Sequence, residues 1–136
     1  MDVIELYGHP QTLWPDHCVQ GTAGARLHPD LPWDAVSAII RKGTDPASDS
    51  YSGFRNNRDA NGHRQPTGLA GYLRERSVEE VVICGLARDF CVRWTAEDAA
   101  AAGFRTTVLW DATRPVVPSS DDRVRLDLER VSVHVV

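Results

Sequence analysis

The chain has 136 residues, 42% apolar and 25% charged, with a formal net charge of −4. That length allows one domain or part of one, in a composition typical of ordinary globular proteins. Lys and Arg are scattered rather than clustered, which argues against a nucleic-acid or anionic-membrane surface, and no apolar run approaches the roughly 18 residues of a membrane span.

Met1–Gly8 is weakly patterned, and its N-terminus lacks the basic region and apolar core of a secretory leader. Val3, Ile4 and Leu6 there suit an edge strand. His9–Arg26, HPQTLWPDHCVQGTAGAR, is rich in Pro, Gly, Thr and His without apolar periodicity, and reads as an ordered loop of the kind that builds sites. Within it, His17-Cys18 followed by Gly21 imitates a cysteine-phosphatase loop. That loop needs an arginine six residues after the cysteine, where this chain has Gly24, so the phosphatase reading is rejected. Ala38-Ile39-Ile40 predicts a short strand that ends at Arg41-Lys42-Gly43 and puts Lys42 at its carboxyl end. Thr44–Thr67 is long and polar, with one compact piece at Tyr51–Phe54 and no clear helix or strand signal.

From Gly68 the pattern becomes regular. Leu69, Tyr72 and Leu73 share a helical face behind Thr67 as N-cap. Val81–Gly85 reads as a strand buried on both faces. A helix from about Phe90 to Ala102 follows and stops at Gly103, a natural residue for a left-handed helix end. Thr106–Trp110 is a further strand. Ser119 and Ser120 cap a helix opened by Asp121 and Asp122, with Val124, Leu126 and Leu128 apolar. Val131–Val136 is the last strand. This alternation predicts an α/β fold: a mostly parallel sheet in a three-layer α/β/α arrangement.

The chemistry concentrates at VVICGLARDFCV, Val81–Val92. A strand–turn–helix delivers Cys91 to the carboxyl edge of a parallel sheet, where open α/β folds keep their sites. At a helix N-terminus the dipole and unpaired N–H groups favour thiolate over thiol, and those N–H groups suit an oxyanion. Cys91 is thus the candidate nucleophile, against the alternative of a small buried apolar cysteine. The three cysteines, odd in number and without CxxC spacing, argue against a disulfide framework or zinc ribbon. A soluble, cytoplasmic, reduced protein is expected.

Four stretches in order, WPDHCVQGTAGA (Trp14–Ala25), IIRKG (Ile39–Gly43), DSYSGF (Asp49–Phe54) and GLARDFCV (Gly85–Val92), resemble the isochorismatase-like cysteine hydrolases. The nicotinamidases and pyrazinamidases are the nearest branch. The resemblance implies hydrolysis of nicotinamide to nicotinate and ammonia through a thioester on Cys91, a step of pyridine-nucleotide salvage. It implies Lys42 as the catalytic lysine, backbone N–H groups of Ala87 and Cys91 as the oxyanion hole, and a cis peptide bond immediately before Arg88. It implies Trp14 and Tyr51 against the substrate ring, and His17 at or beside a site for zinc, iron or manganese.

Residues 1–136 are then expected to form a single, partial domain equivalent to the family's C-terminal two-thirds. The pattern departs from the family in lacking the early strand with its base aspartate and the Asp-x-His metal cluster. The chain alone is accordingly expected to be impaired, to retain no metal, and to leave apolar sheet surface uncovered. The small-molecule amide is the expected partner, with a homo-oligomer or a complementing N-terminal fragment as further partners. The alternatives are another hydrolase of this family or a non-catalytic binding module. Arg88, where relatives usually carry a small or hydroxyl residue, is expected to alter the pocket mouth.

Overall fold

The structure is a computed structural model that describes residues 2–136, so Met1 lies outside the described residues. The chain divides into two compact units, one reaching to Ile39 and the other running from Ile40 to Val136. Among the described residues, no helix is long and apolar enough to cross a membrane.

In the first unit, β1 (Val3–Leu6) pairs antiparallel with β2 (His9–Thr12), from Val3 opposite Thr12 to Leu6 opposite His9. The expected strand is present, but its partner lies in the segment read as loop. Tyr7 and Gly8 join the strands at φ 53° and 77°, the left-handed pair that matches strand twist in a two-residue hairpin. Ala38–Ile40 forms no strand, contrary to expectation. An extended segment becomes a strand only through a ladder, and no described strand pairs with this one.

The second unit opens with a hairpin that the polar sequence hid. Strands β3 (Arg55–Arg58) and β4 (Arg64–Pro66) pair antiparallel around the NNRDANG segment. Its turn is organised by Asp59, whose Oδ1 accepts from the amides of Asn61 at 2.8 Å and His63 at 2.9 Å. The His63 bond holds the Asp59 carboxyl below the usual carboxylate range. Helix α1 (Leu69–Glu75) follows. Gly68, at φ 93°, occupies the cap position, while Thr67 Oγ1 reaches from one residue further out to accept the Leu69 amide at 3.2 Å.

The parallel sheet has the order β5 (Glu80–Leu86), β6 (Arg105–Arg114), β7 (His134–Val135), with β6 central. Helices α2 (Arg93–Ala101) and α3 (Asp121–Arg130) connect its strands. Gly103, at φ 91°, ends α2 as expected: its own amide bonds Ala100 O at 2.9 Å and the Phe104 amide bonds Ala99 O at 3.1 Å.

One core joins Val92, Ala96, Val108, Val124, Leu128 and Val133, and a second joins Phe54, Ala99 and Phe104. Ile83 packs against both, and Val81 against the second. Strand β5 is therefore not buried on both faces. Its odd positions face the helices, whereas Val82 and Leu86 are 58% and 71% exposed. The α/β class with a parallel sheet stands, and within this chain the helices cover one face of it. In α3, Val124 and Leu128 are buried at i, i+4 spacing, and Leu126 points outward, 51% exposed.

The turn from β5 into α2 is fixed by two adjacent side chains. Arg88 is 5% exposed and its guanidinium lies 3.8 Å over the Trp110 ring. It donates to Thr113 Oγ1 at 2.7 Å, Thr113 O at 2.9 Å, Trp110 O at 3.1 Å and Asp121 Oδ2 at 2.5 Å. The long cation expected at a pocket mouth is instead buried against β6 and the start of α3, because that segment supplies four acceptors and an aromatic face. Asp89 accepts from the Val116 and Val117 amides at 2.9 Å each and from Ser120 Oγ at 3.3 Å. Ser120 thus serves Asp89 rather than capping α3, which it joins with no side-chain cap bond.

Leu128→Ala is expected to cost about 2–5 kcal/mol in urea unfolding, against about 0.5 kcal/mol or less for Leu126→Ala. In the same measurement Arg88→Met should cost about 1–3 kcal/mol, because it leaves the partly exposed Asp121 carboxylate and the Trp110 and Thr113 carbonyls without their charged donor.

Candidate active site

Cys91 is the fourth residue of a π-helical turn, Arg88–Val92, that runs directly into α2. The helix therefore begins two residues earlier than the sequence predicts, and Cys91 sits inside its first turn. The Ala87 carbonyl accepts from Phe90 N at 3.2 Å and from Val92 N at 2.9 Å, the amides on either side of Cys91. The cis peptide bond joins Leu86 to Ala87, one residue before the expected position. All three cysteines are free; Cys18 and Cys84 are exposed, and Cys91 is half-buried.

Lys42 Nζ lies 3.7 Å from Cys91 Sγ and also donates to the Ser50 carbonyl. The lysine comes from irregular backbone rather than a strand end, so its position depends on the loop that receives it. That loop is a network of short polar side chains. Asp49 Oδ1 accepts the Ser50 amide at 2.7 Å, Ser48 Oγ donates to Asn57 O at 3.1 Å, and Ser52 Oγ accepts the Phe54 amide at 3.0 Å. Ser48, Ser50 and Ser52 are all buried. The Ser48 and Ser52 hydroxyls are paired in this way and fix one conformation, whereas the buried Ser50 hydroxyl has no hydrogen-bond partner among the described residues.

Thr95 ties the loop to the cysteine helix. Its hydroxyl donates to Cys91 O at 2.5 Å and accepts the Gly53 amide at 2.9 Å. Thr67 closes the other side, donating to Gly53 O at 2.6 Å. Tyr51 stands edge-on to Phe90 and Trp94, with ring centroids 5.6 and 5.4 Å away. Lys42, Tyr51, Ala87 and Cys91 are thus all in the second unit, the first two joined to the cysteine turn by direct contacts. Sequence reasoning missed Phe90, Trp94 and the bridging role of Thr95. The signal was available in part: positions i+3 and i+4 from Cys91 share its helical face.

Trp14 and His17 belong to the first unit, where their rings meet edge to face with centroids 6.3 Å apart. His17 Nδ1 bonds Pro15 O at 2.7 Å, which leaves Nε2 as the nitrogen outside that bond. One imidazole is a poor start for a metal centre, since tight transition-metal sites take three or four ligands. Among the described residues, no group of three or more His, Cys, Asp or Glu could hold a metal ion. The residues present do not fit the metal that the resemblance implies.

Comparison with known proteins gives the lineage. A nicotinamidase of Acinetobacter baylyi is 50% identical over 115 residues, which are 85% of this chain and 52% of the relative. The chain thus spans about half the length of that relative. The solved structure of an Acinetobacter baumanii nicotinamidase/pyrazinamidase superposes with a TM-score of 0.90 at 41% identity, covering 99% of this chain and 64% of that one. A Pyrococcus horikoshii pyrazinamidase, solved in complex with zinc, gives a TM-score of 0.75 at 40% identity, over 91% and 63% of the two chains. The isochorismatase domain model matches residues 7–134, and the chain belongs to the isochorismatase family.

Proposed function

We propose that this chain carries the nucleophilic part of a nicotinamidase-type site, hydrolysing nicotinamide to nicotinate and ammonia. One observation carries the reading: the Lys42 ammonium lies 3.7 Å from Cys91 Sγ, held by a loop that is itself bonded to the helix that bears the cysteine. Identities of 50% to an Acinetobacter baylyi nicotinamidase and 42% to a Mycobacterium tuberculosis nicotinamidase/pyrazinamidase support the choice of substrate.

In this mechanism the Cys91 sulfur attacks the carboxamide carbon and the carbonyl oxygen becomes an oxyanion. Backbone N–H groups of Ala87 and Cys91 receive that charge, and the Lys42 cation stabilises negative charge at the sulfur. The C–N bond then breaks, and ammonia leaves with the proton that the thiol gave up. Water hydrolyses the thioester, releasing nicotinate and restoring the thiol. Tyr51 is our candidate for an aromatic contact with the pyridine ring through its packing on Phe90 and Trp94. No step runs through a metal, because the residues present do not fit one.

The test is ammonia release from nicotinamide by this chain and by the chain extended with a relative's N-terminal segment, with mass spectrometry to trap the acyl-enzyme. In whichever form is active, Cys91→Ala should abolish both release and adduct, and Lys42→Met should lower kcat about 10²–10³-fold. Release that survives Cys91→Ala overturns the nucleophile assignment, and no release from either form overturns nicotinamide as substrate. Thr95→Val should lower kcat about fivefold with little change in KM, and Thr95→Ser should restore it, as expected for one lost hydrogen bond that orients the cysteine turn.

A further inference from the structure

The second unit also contains a cavity of about 720 Å³ whose lining includes neither Lys42 nor Cys91. Four arginines reach it, Arg55, Arg58, Arg64 and Arg74, with Asp98 as the single lining carboxylate. Asp98 is already committed: it takes both terminal nitrogens of Arg64 at 2.7 Å each, and the Arg64 guanidinium also lies 5.3 Å from the centre of the Trp94 ring. That pair is neutral.

The other three are oriented without being neutralised. Arg58 donates to Gly62 O at 2.9 Å, Arg74 to Ala102 O at 2.9 Å, and Arg55 to Arg64 O at 3.4 Å. Arg74 also lies 5.7 Å from the centre of the Phe104 ring. Among the described residues their partners are carbonyls and rings, never a carboxylate. A carbonyl fixes the direction of a guanidinium, leaves its charge intact, and uses one of five N–H groups. Ala102 lies at the carbonyl end of α2, and the Arg74 bond covers that partial negative charge. In a chain of net charge −4, the fold thus gathers around one concavity three cations that, among the described residues, pair with no carboxylate. Concave walls focus such a field, and planar guanidinium forks match phosphoryl oxygens two at a time.

We propose that this cavity is an anion-binding site for a small ligand carrying two linked phosphoryl groups, held by Arg55, Arg58 and Arg74. Three cations match the charge of a diphosphate better than that of a single phosphoryl group, which carries about −1.5 to −2. The volume lies within the usual range of small-molecule sites and exceeds a bare diphosphate, and Phe54 and Ala70 supply apolar wall for an attached organic group. Inorganic pyrophosphate and a nucleoside diphosphate share the recognised chemistry. The site stands independently of the amide-hydrolysis reading.

Calorimetric titration of the full chain with pyrophosphate, with ADP, and with sulfate at matched ionic strength tests it. Saturable one-to-one binding of pyrophosphate or ADP that sulfate does not reproduce is the expected result. The Arg55→Gln/Arg58→Gln double variant should weaken it about tenfold or more, with an unchanged unfolding transition. Arg58→Gln alone serves the same purpose should the double variant fail to fold. Tighter binding of ADP assigns the apolar wall to the nucleoside, and equal affinities assign recognition to the diphosphate alone. No saturation, an equal response to sulfate, affinity untouched by the variants, or tighter binding of a single-stranded oligonucleotide than of either diphosphate each overturns the proposal.

Discussion

The buried Arg88 guanidinium is the interaction on which the rest of the site depends. With Trp110 beneath it and Thr113, Trp110 and Asp121 as acceptors, it binds the turn after β5 to the end of β6 and the start of α3. Asp89, the next residue, draws in the amides of Val116 and Val117. Two consecutive charged side chains thus join three elements. Both are nearly inaccessible, so each charge has to be met by hydrogen bonds from the segment it organises. The register jump in the β5–β6 ladder, from Ile83 opposite Val108 to Gly85 opposite Thr113, occurs where Arg88 needs those acceptors. Cys91 follows three residues later on a turn that this anchoring holds in place.

A second constraint comes from the loop side. Lys42 has no strand of its own to hold it, so its ammonium is aimed by the Ser50 carbonyl. Ser50 is in turn fixed through its amide, which donates to Asp49 Oδ1 at 2.7 Å. Thr95 makes the two sides one object, because a single hydroxyl donates to the cysteine residue and accepts from the loop. The contact of lysine and thiol is therefore the product of two separately determined pieces, and displacement of either changes their distance. Preorganisation of this kind is what places charge ahead of a reaction instead of during it.

The same tertiary contacts explain why composition said so little about charge. The arginines at positions 55, 58, 64 and 74 fall on two short strands and a helix, and in sequence they look like ordinary scattered surface charge. Folding the β3–β4 hairpin against α1 and α2 brings them to one cavity. That hairpin had no apolar alternation to announce it. Its formation rests on the Asp59 turn, an Asx geometry that short polar residues satisfy without any hydrophobic pattern.

By itself the sequence determined the α/β class, the strand–turn–helix around Cys91, the Gly103 stop and the pairing of Lys42 with Cys91 as candidates. The first three follow from local rules, since apolar runs make parallel strands and left-handed helix ends favour glycine, whereas Lys42 and Cys91 are paired only by the family resemblance. The tertiary structure alone decided which way long side chains turn and which face of an element is covered. Arg88 went inward because acceptors 22–33 residues away were waiting for it. Alternate residues of β5 stayed in water because the helices lie on one side of it. Ala38–Ile40 stayed out of any sheet because no partner ladder reached it. Burial and pairing depend on groups distant in sequence, and no local pattern encodes where those groups will be.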